Sequence, residues 1–151
     1  RRRAILAGLA ACTALLLSTP HTLQAQTASV VASDPWVREP LASAAQTAVF
    51  VVLENKSAET RQLVSASTTA AEKTELHTMS MTNGMMRMEQ VKSIELKANA
   101  KTELKPGGFH IMLFGLKEHP ASGASVALTL TLDNGQTIPV TATVRKPEGM
   151  K

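Results

Sequence analysis

Methionine and histidine are concentrated in two short segments of the chain. Five of the seven methionines lie between residues 79 and 88, and His77 precedes them by two positions. Farther along, His110 and Met112 stand two residues apart. Imidazole and thioether are neutral ligands, and thioether favours soft metal ions. The residue types therefore indicate a soft-metal site near the five clustered methionines, which are Met79, Met81, Met85, Met86 and Met88.

The methionine-rich segment is predicted to form a β-hairpin around Asn83-Gly84, a dipeptide typical of two-residue turns. In that register the facing pairs are Thr82 with Met85, Met81 with Met86, and Met79 with Met88. His77 would lie diagonally across from Met88. One face of the hairpin then carries a histidine and four methionines, whereas the other face is mostly polar.

His110 and Met112 lie in a second strand-like segment. Because side chains two residues apart leave the same face of a strand, these two would be about 6.6 Å apart along it. Two imidazole nitrogens and two thioether sulfurs form a neutral, soft set that suits copper(I) better than zinc or copper(II). Two other interpretations stay open from the residues alone, namely methionine as adaptable core filling and histidine as a polar residue at a sheet edge.

From Val30 onward, short β-prone segments alternate with turn signals, and no stretch of ten residues shows an apolar period of 3.6. We predict an all-β protein of eight or nine strands, folded as a single-domain Greek-key β-sandwich. Apolar residues alternate over residues 126–144 on both sides of Asp133-Asn134-Gly135, which predicts a hairpin with one buried face. Residues 47–53 and 61–64 are predicted to form another hairpin.

The N-terminal residues have the organisation of an export signal. Three arginines precede an uncharged, mostly apolar stretch at residues 4–17, which is shorter than the roughly 20 residues that span a membrane. We predict a signal peptide over residues 1–25 with cleavage between 25 and 28, a β-sandwich domain over 29–146 and a flexible tail over 147–151. Lipid anchoring at Cys12, which follows Leu9-Ala10-Ala11, is the alternative, and no integral membrane segment is expected in the mature form.

Charge and cysteine content argue against several classes of function. Without the three leading arginines, 13 Lys and Arg balance 12 Asp and Glu, so no basic nucleic-acid-binding face is expected. Cys12 is the only cysteine and would leave with the signal peptide. The mature domain would then lack disulfides, thiolate nucleophiles and the cysteine ligand of blue-copper centres. No hydrolase motif is present, and we expect no enzymatic activity.

The spacing of the ligand-type residues matches a known family. The pattern is H-x10-M-x21-H-x-M, and its four named positions are His77, Met88, His110 and Met112. In this the chain resembles the periplasmic copper chaperones called PCuAC, from which it differs in having Thr78 where many members have methionine. The similarity covers nearly the whole mature chain and includes Pro35-Trp36-Val37-Arg38, Gly84 with Met85-Met86-Arg87-Met88, and Leu104-Lys105-Pro106-Gly107-Gly108 with Phe109-His110.

The resemblance implies a cupredoxin-like sandwich that binds one copper(I). The ligands implied are two imidazoles, from His77 and His110, and two thioethers, from Met88 and Met112. Three further methionines would be auxiliary or transient ligands, namely Met79, Met81 and Met86. The resemblance does not imply a second site for copper(II), because some relatives bind that ion with a His- and Met-rich C-terminal extension, whereas the predicted tail offers only Met150.

The resemblance also implies a monomeric periplasmic protein that transfers copper(I) by ligand exchange to a copper enzyme. The implied acceptor is the dinuclear copper centre in subunit II of cytochrome c oxidase, and a Sco-type thiol protein is a further candidate partner. Two alternatives remain. The protein could sequester copper for resistance or storage, or its methionine-rich face could bind another protein without metal.

Overall fold

The computed structural model describes residues 28–147, which form ten β-strands. Their bounds are β1 Val30–Arg38, β2 Gln46–Asn55, β3 Arg61–Ser67, β4 Ala71–Thr82, β5 Met85–Val91, β6 Ile94–Leu96, β7 Ala100–Leu104, β8 His110–Leu116, β9 Ser125–Leu132 and β10 Thr137–Arg145. The prediction of an all-β protein is confirmed. The predicted signal peptide, with Cys12, and nearly all of the predicted tail lie outside the described residues.

The strands form one hydrogen-bonded path that folds into two facing layers. The order is β5-β4-β8-β2-β1-β10-β9-β3-β6, and β7 also pairs with β2. The terminal strands β1 and β10 run parallel to each other. Side chains from both layers share one core, with Val49 and Ile111 on one side and Leu63 and Leu130 on the other. This is the β-sandwich expected from the sequence. Within residues 28–147 no helix is long and apolar enough to cross a membrane.

Of the two hairpins predicted outside the methionine-rich segment, one is confirmed and the other is wrong. β9 and β10 pair as expected, with their alternating apolar residues buried. In contrast, β2 pairs with β1, β7 and β8, whereas β3 pairs with β6 and β9 in the other layer. The chain changes layers after the buried Asn55, whose amide donates to the carbonyls of Glu59 at 2.8 Å and Leu96 at 2.9 Å. The polar residues after β2 therefore form a crossover and not a tight turn.

Strand β4 positions the candidate site because its two parts have different neighbours. Its first part pairs with β8 as far as His77. From residue 78 to 82, β5 is its only strand partner among the described residues, so the β4–β5 hairpin extends past the sheet as a two-stranded ribbon. Asn83 and Gly84 have φ angles of 51° and 76°, as the predicted two-residue turn requires. The predicted register is confirmed.

Candidate metal centre

The predicted ligands lie on the outer face of the layer that contains β2, β8 and β4. Ile111 and Leu113 of β8 are fully buried in the core. Because side chains alternate along a strand, His110 and Met112 point to the opposite face. His77 of β4 pairs directly with His110 across the ladder. The two histidines therefore meet where β8 begins and the ribbon leaves the sheet.

His110 is a buried candidate ligand, and both of its ring nitrogens have defined neighbours. Its side chain is only 5% exposed. Nδ1 donates to the carbonyl of Gly108 at 3.0 Å, which assigns the lone pair to Nε2. Nε2 lies 3.1 Å from Sδ of Met88. In that tautomer neither of these atoms carries a proton, so the contact brings together two electron-pair donors, as the ligands of one ion would be.

The His77 ring lies beside the His110 ring, with the two centroids 5.9 Å apart. Its Nε2 is 2.7 Å from Oε2 of Glu75, and we assign the ring proton to Nε2 because the carboxylate must accept. Nδ1 then keeps its lone pair, and it is buried without a hydrogen-bond partner among the described residues. A buried lone pair of this kind fits a metal ligand whose other nitrogen is held by a carboxylate.

The two predicted thioether ligands differ strongly in their exposure. Met112 is 5% exposed and packs with Ala48 and Phe50, whereas Met88 is 48% exposed. Both line a cleft of about 560 Å³ together with Met79 and His110. One thioether is therefore enclosed by packing, and the other is at the surface, where solvent or a partner can reach it. This arrangement suits an ion that enters and leaves from the side of β5.

Aromatic side chains surround the histidines on the same outer face. Phe50 lies 6.2 Å from the His110 ring and 4.4 Å from the Trp36 ring, and Phe114 lies 6.0 Å from His77, all measured between ring centroids. These residues restrict the access of water to the imidazoles. Sequence reasoning missed their position beside the histidines. Their positions depend on the pairing of β2 with both β1 and β8, which no local pattern shows.

A row of charged groups runs along β4 beside the histidines. Lys73 forms an ion pair with Glu75, which in turn holds His77. The hydrogen bond from Lys73, and then that from His77, lower the pKa of Glu75 below its usual value. Metal-binding histidines commonly donate their second ring N–H to such a carboxylate. Sequence reasoning missed Glu75, although its position two residues before His77 on the same strand face could have indicated it.

The pH dependence of folding should reflect the burial of His110. Burial lowers the pKa of its imidazole below 6.5, and the hydrogen bond to Gly108 only partly opposes this effect. The unfolded chain therefore binds more protons just below pH 6.5, so the stability of the metal-free protein falls as the pH drops through that window. We expect the urea midpoint to fall between about pH 7.5 and about pH 5.5, and to fall less in His110→Gln. The same dependence in both proteins would contradict this.

Across residues 28–147, no three His, Cys, Asp or Glu side chains gather in a group that could hold a metal ion. The predicted set of His77, His110, Met88 and Met112 differs from such a group, because two of its four donors are methionine thioethers. Two pairs within this set are close together, namely the two histidines, and His110 with Met88. Met112 follows on the same strand face and lines the same cleft.

The chain is similar to known proteins over most of its length. The profile of the LpqE-like family matches residues 30–144. The protein Lxx21020 of Leifsonia xyli subsp. xyli (strain CTCB07), whose name proposes that it is a lipoprotein, is 35% identical over 147 residues. That alignment covers 97% of this chain and 87% of the relative.

Solved structures agree with the fold. Apo-DR1885 from Deinococcus radiodurans is 30% identical, with 97% of this chain and all of that chain covered and a TM-score of 0.63. Its CuI form is 34% identical over 78% of each chain, with a TM-score of 0.64. The copper-bound PCuAC domain of PmoF2 is 18% identical and covers 79% of this chain and 94% of its own, so its TM-score of 0.68 supports the fold alone. From the profile match and these relatives together, the chain belongs to the LpqE-like family, and its resemblance to PCuAC proteins is confirmed.

Proposed function

We propose that this protein is an exported copper(I) chaperone that binds one ion through His77, His110, Met88 and Met112. The observation that carries the proposal is the arrangement of the two imidazoles. One has a buried Nδ1 without a partner among the described residues, and the other has its Nε2 against a thioether sulfur. Similarity to DR1885, which is known in a CuI form, supports the same choice of metal.

The exposure of Met88 supports transfer by ligand exchange. An incoming donor from a partner protein can replace this thioether first, while the buried Met112 and the two imidazoles still hold the ion. Such transfer needs no catalytic group. The auxiliary methionines Met79, Met81 and Met86 stand beside Met88 on the ribbon and are proposed as transient ligands.

The location and partners are proposed from the resemblance to PCuAC proteins. The location is the periplasm, and the carrier is a monomer. The copper acceptor is the dinuclear copper centre of cytochrome c oxidase, and a Sco-type thiol protein is a further partner. The name of the Leifsonia xyli relative supports lipid anchoring at Cys12 as the alternative to cleavage between residues 25 and 28. The mass of the exported chain distinguishes the two.

X-ray absorption on the copper(I)-loaded protein tests the ligand set. We expect one copper per chain with two nitrogen and two sulfur neighbours, because two imidazoles and two thioethers form the proposed set that retains the ion. A copper ion with only nitrogen and oxygen neighbours would contradict the set. Failure to retain copper(I) at all would favour the alternative in which the methionine-rich face binds another protein.

A transfer assay separates a chaperone from a sequestering protein. The copper-loaded protein is mixed with the metal-free soluble domain of cytochrome c oxidase subunit II, and the copper content of each is measured after separation. A chaperone gives up its copper within the assay, since Met88 can exchange. A sequestering protein retains it.

A further inference from the structure

The methionines of the ribbon form two facing pairs that continue outward from the proposed site. Met79 lies opposite Met88, and Met81 lies opposite Met86, nearer the turn. We call these four residues the methionine ladder. Side chains that face each other across antiparallel strands have Cβ atoms about 4.5–5.5 Å apart, so the two thioethers of a pair can reach one ion. Successive pairs are two residues apart, which is about 6.6 Å.

Packing does not account for the outer pair. Met81 is 66% exposed and Met86 is 49% exposed, and neither belongs to the hydrophobic core. Only β5 among the described strands pairs with this part of β4, so the outer pair lies beyond the end of β8. Thr and Val favour β-strands at least as strongly as methionine does, and they would not place a long, flexible apolar side chain in solvent. Affinity for soft metals is the property that distinguishes methionine from Thr and Val, and it is one that two thioethers facing each other, as in Met81 and Met86, can serve together.

Exposure along the ladder falls toward the histidines on β4 but not on β5. Met81 is exposed and Met79 is partly buried, whereas Met86 and Met88 are 49% and 48% exposed. Behind the ladder, His110 and Met112 are each 5% exposed. Met79 and Met88 line the same cleft as His110. The backbone of Met79 also donates to the carbonyl of Gly108, the group that holds His110. The inner end of the ladder is thus fixed to the proposed site.

We propose that Met81 and Met86 form a second, transient copper(I) site that supplies the first, an inference that rests on the proposed function. Copper(I) binds weakly to the two exposed thioethers, moves to Met79 and Met88, and is retained when the imidazoles bind it. In the move between pairs, two sulfur–copper bonds form as two others break. In the last step, bonds to the two imidazole nitrogens and to Met112 form as the bond to Met79 breaks, and copper keeps its oxidation state throughout. Thioethers do not titrate, so this outer site works at any pH, and without imidazole it is weaker than the inner one.

Met85 provides a matched control on the same ribbon. It is 56% exposed, close to its neighbours in the ladder, but it faces Thr82 on the opposite side of the hairpin. Replacing methionine with leucine removes the sulfur and keeps the volume nearly constant. The comparison is therefore between the double variant Met81→Leu/Met86→Leu and the single variant Met85→Leu.

Methyl-labelled methionine and NMR report binding at each sulfur. With copper(I) added anaerobically, the first equivalent should shift the methyl signals of Met88 and Met112, and further copper should shift those of Met81 and Met86 but leave Met85 unmoved. In His110→Ala, where the inner site is disabled, Met81 and Met86 should still shift. If these two signals do not move in that variant at several equivalents of copper(I), the second site does not exist. The inner site is judged separately, from Met88 and Met112 in the unmodified protein.

Loading kinetics test whether the outer site supplies the inner one. Copper(I) is offered as a complex with a coloured chelator, and its uptake is followed by the loss of colour. The Met81→Leu/Met86→Leu variant should load more slowly than the unmodified protein and reach the same final affinity, whereas Met85→Leu should match the unmodified protein in both. Equal rates in the double variant, or equal slowing by Met85→Leu, would overturn the relay.

Discussion

Replacing His110 with alanine is expected to remove tight copper(I) binding. His110 contacts Met88 through Nε2, lies opposite His77 and precedes Met112 by two positions, so the substitution removes one proposed ligand and the group around which the others lie. The loss of affinity should exceed the roughly 10- to 100-fold that follows removal of an outer-shell partner of a metal ligand. Competition with a coloured copper(I) chelator under anaerobic conditions measures it.

His119→Ala is the matched control. His119 is exposed, and its Nε2 bonds to the carbonyl of Ala44 and to none of the proposed ligands. Its removal should leave copper(I) affinity unchanged. A urea unfolding curve for each variant shows whether a loss of binding reflects a loss of folding. If His110→Ala binds copper(I) as tightly as His119→Ala does, His110 is not a ligand.

The parts of the fold that follow from local rules could be predicted from the sequence. Asn83-Gly84 determines a two-residue turn, and the turn alone determines which methionines face each other, so the register of the ribbon was correct. The same reasoning applies to the hairpin of β9 and β10, where strict alternation on both arms identifies the buried face. In these elements a few neighbouring residues specify the geometry.

The assembly of the site depends on contacts between distant segments, which local rules do not reveal. The pairing of His77 with His110 joins two residues that are 33 positions apart in the sequence. The spacing pattern shared with PCuAC proteins picked out these residues, but it did not show that they face each other or that Phe50 and Phe114 lie beside them. For the same reason the predicted pairing of β2 with β3 was wrong, because turn-prone residues do not tell a hairpin from a crossover.

Glu75 holds one proposed ligand, His77, and is not itself a ligand, so its replacement should have a smaller effect than that of His110. Alanine at this position is expected to weaken copper(I) binding by roughly 10- to 100-fold, because it removes the carboxylate that fixes the proton of His77 on Nε2. Without that carboxylate the ring can rotate and can exchange its tautomers, so the lone pair on Nδ1 is no longer held ready for the ion. The number of copper ligands should not change.

Two measurements separate this role from a general effect on folding. Nitrogen-15 shifts of the His77 ring in the metal-free protein should show protonated Nε2 in the unmodified chain and a mixture of tautomers in Glu75→Ala. Glu103→Ala is the control, because Glu103 forms a comparable ion pair with Lys105, two residues along its own segment, at 3.4 Å. That substitution should alter neither the His77 tautomer nor copper(I) affinity.

A graded series tests the mechanism more sharply than a single variant. Glutamine at position 75 keeps a carbonyl oxygen that can still accept the N–H of His77, but it loses the charge that attracts Lys73 and strengthens the hydrogen bond. Copper(I) affinity should therefore decrease in the order Glu, Gln, Ala, and the fraction of the Nε2-protonated tautomer should decrease in the same order. If affinity falls while the tautomer stays constant, Glu75 acts on copper through its charge and not by orienting His77.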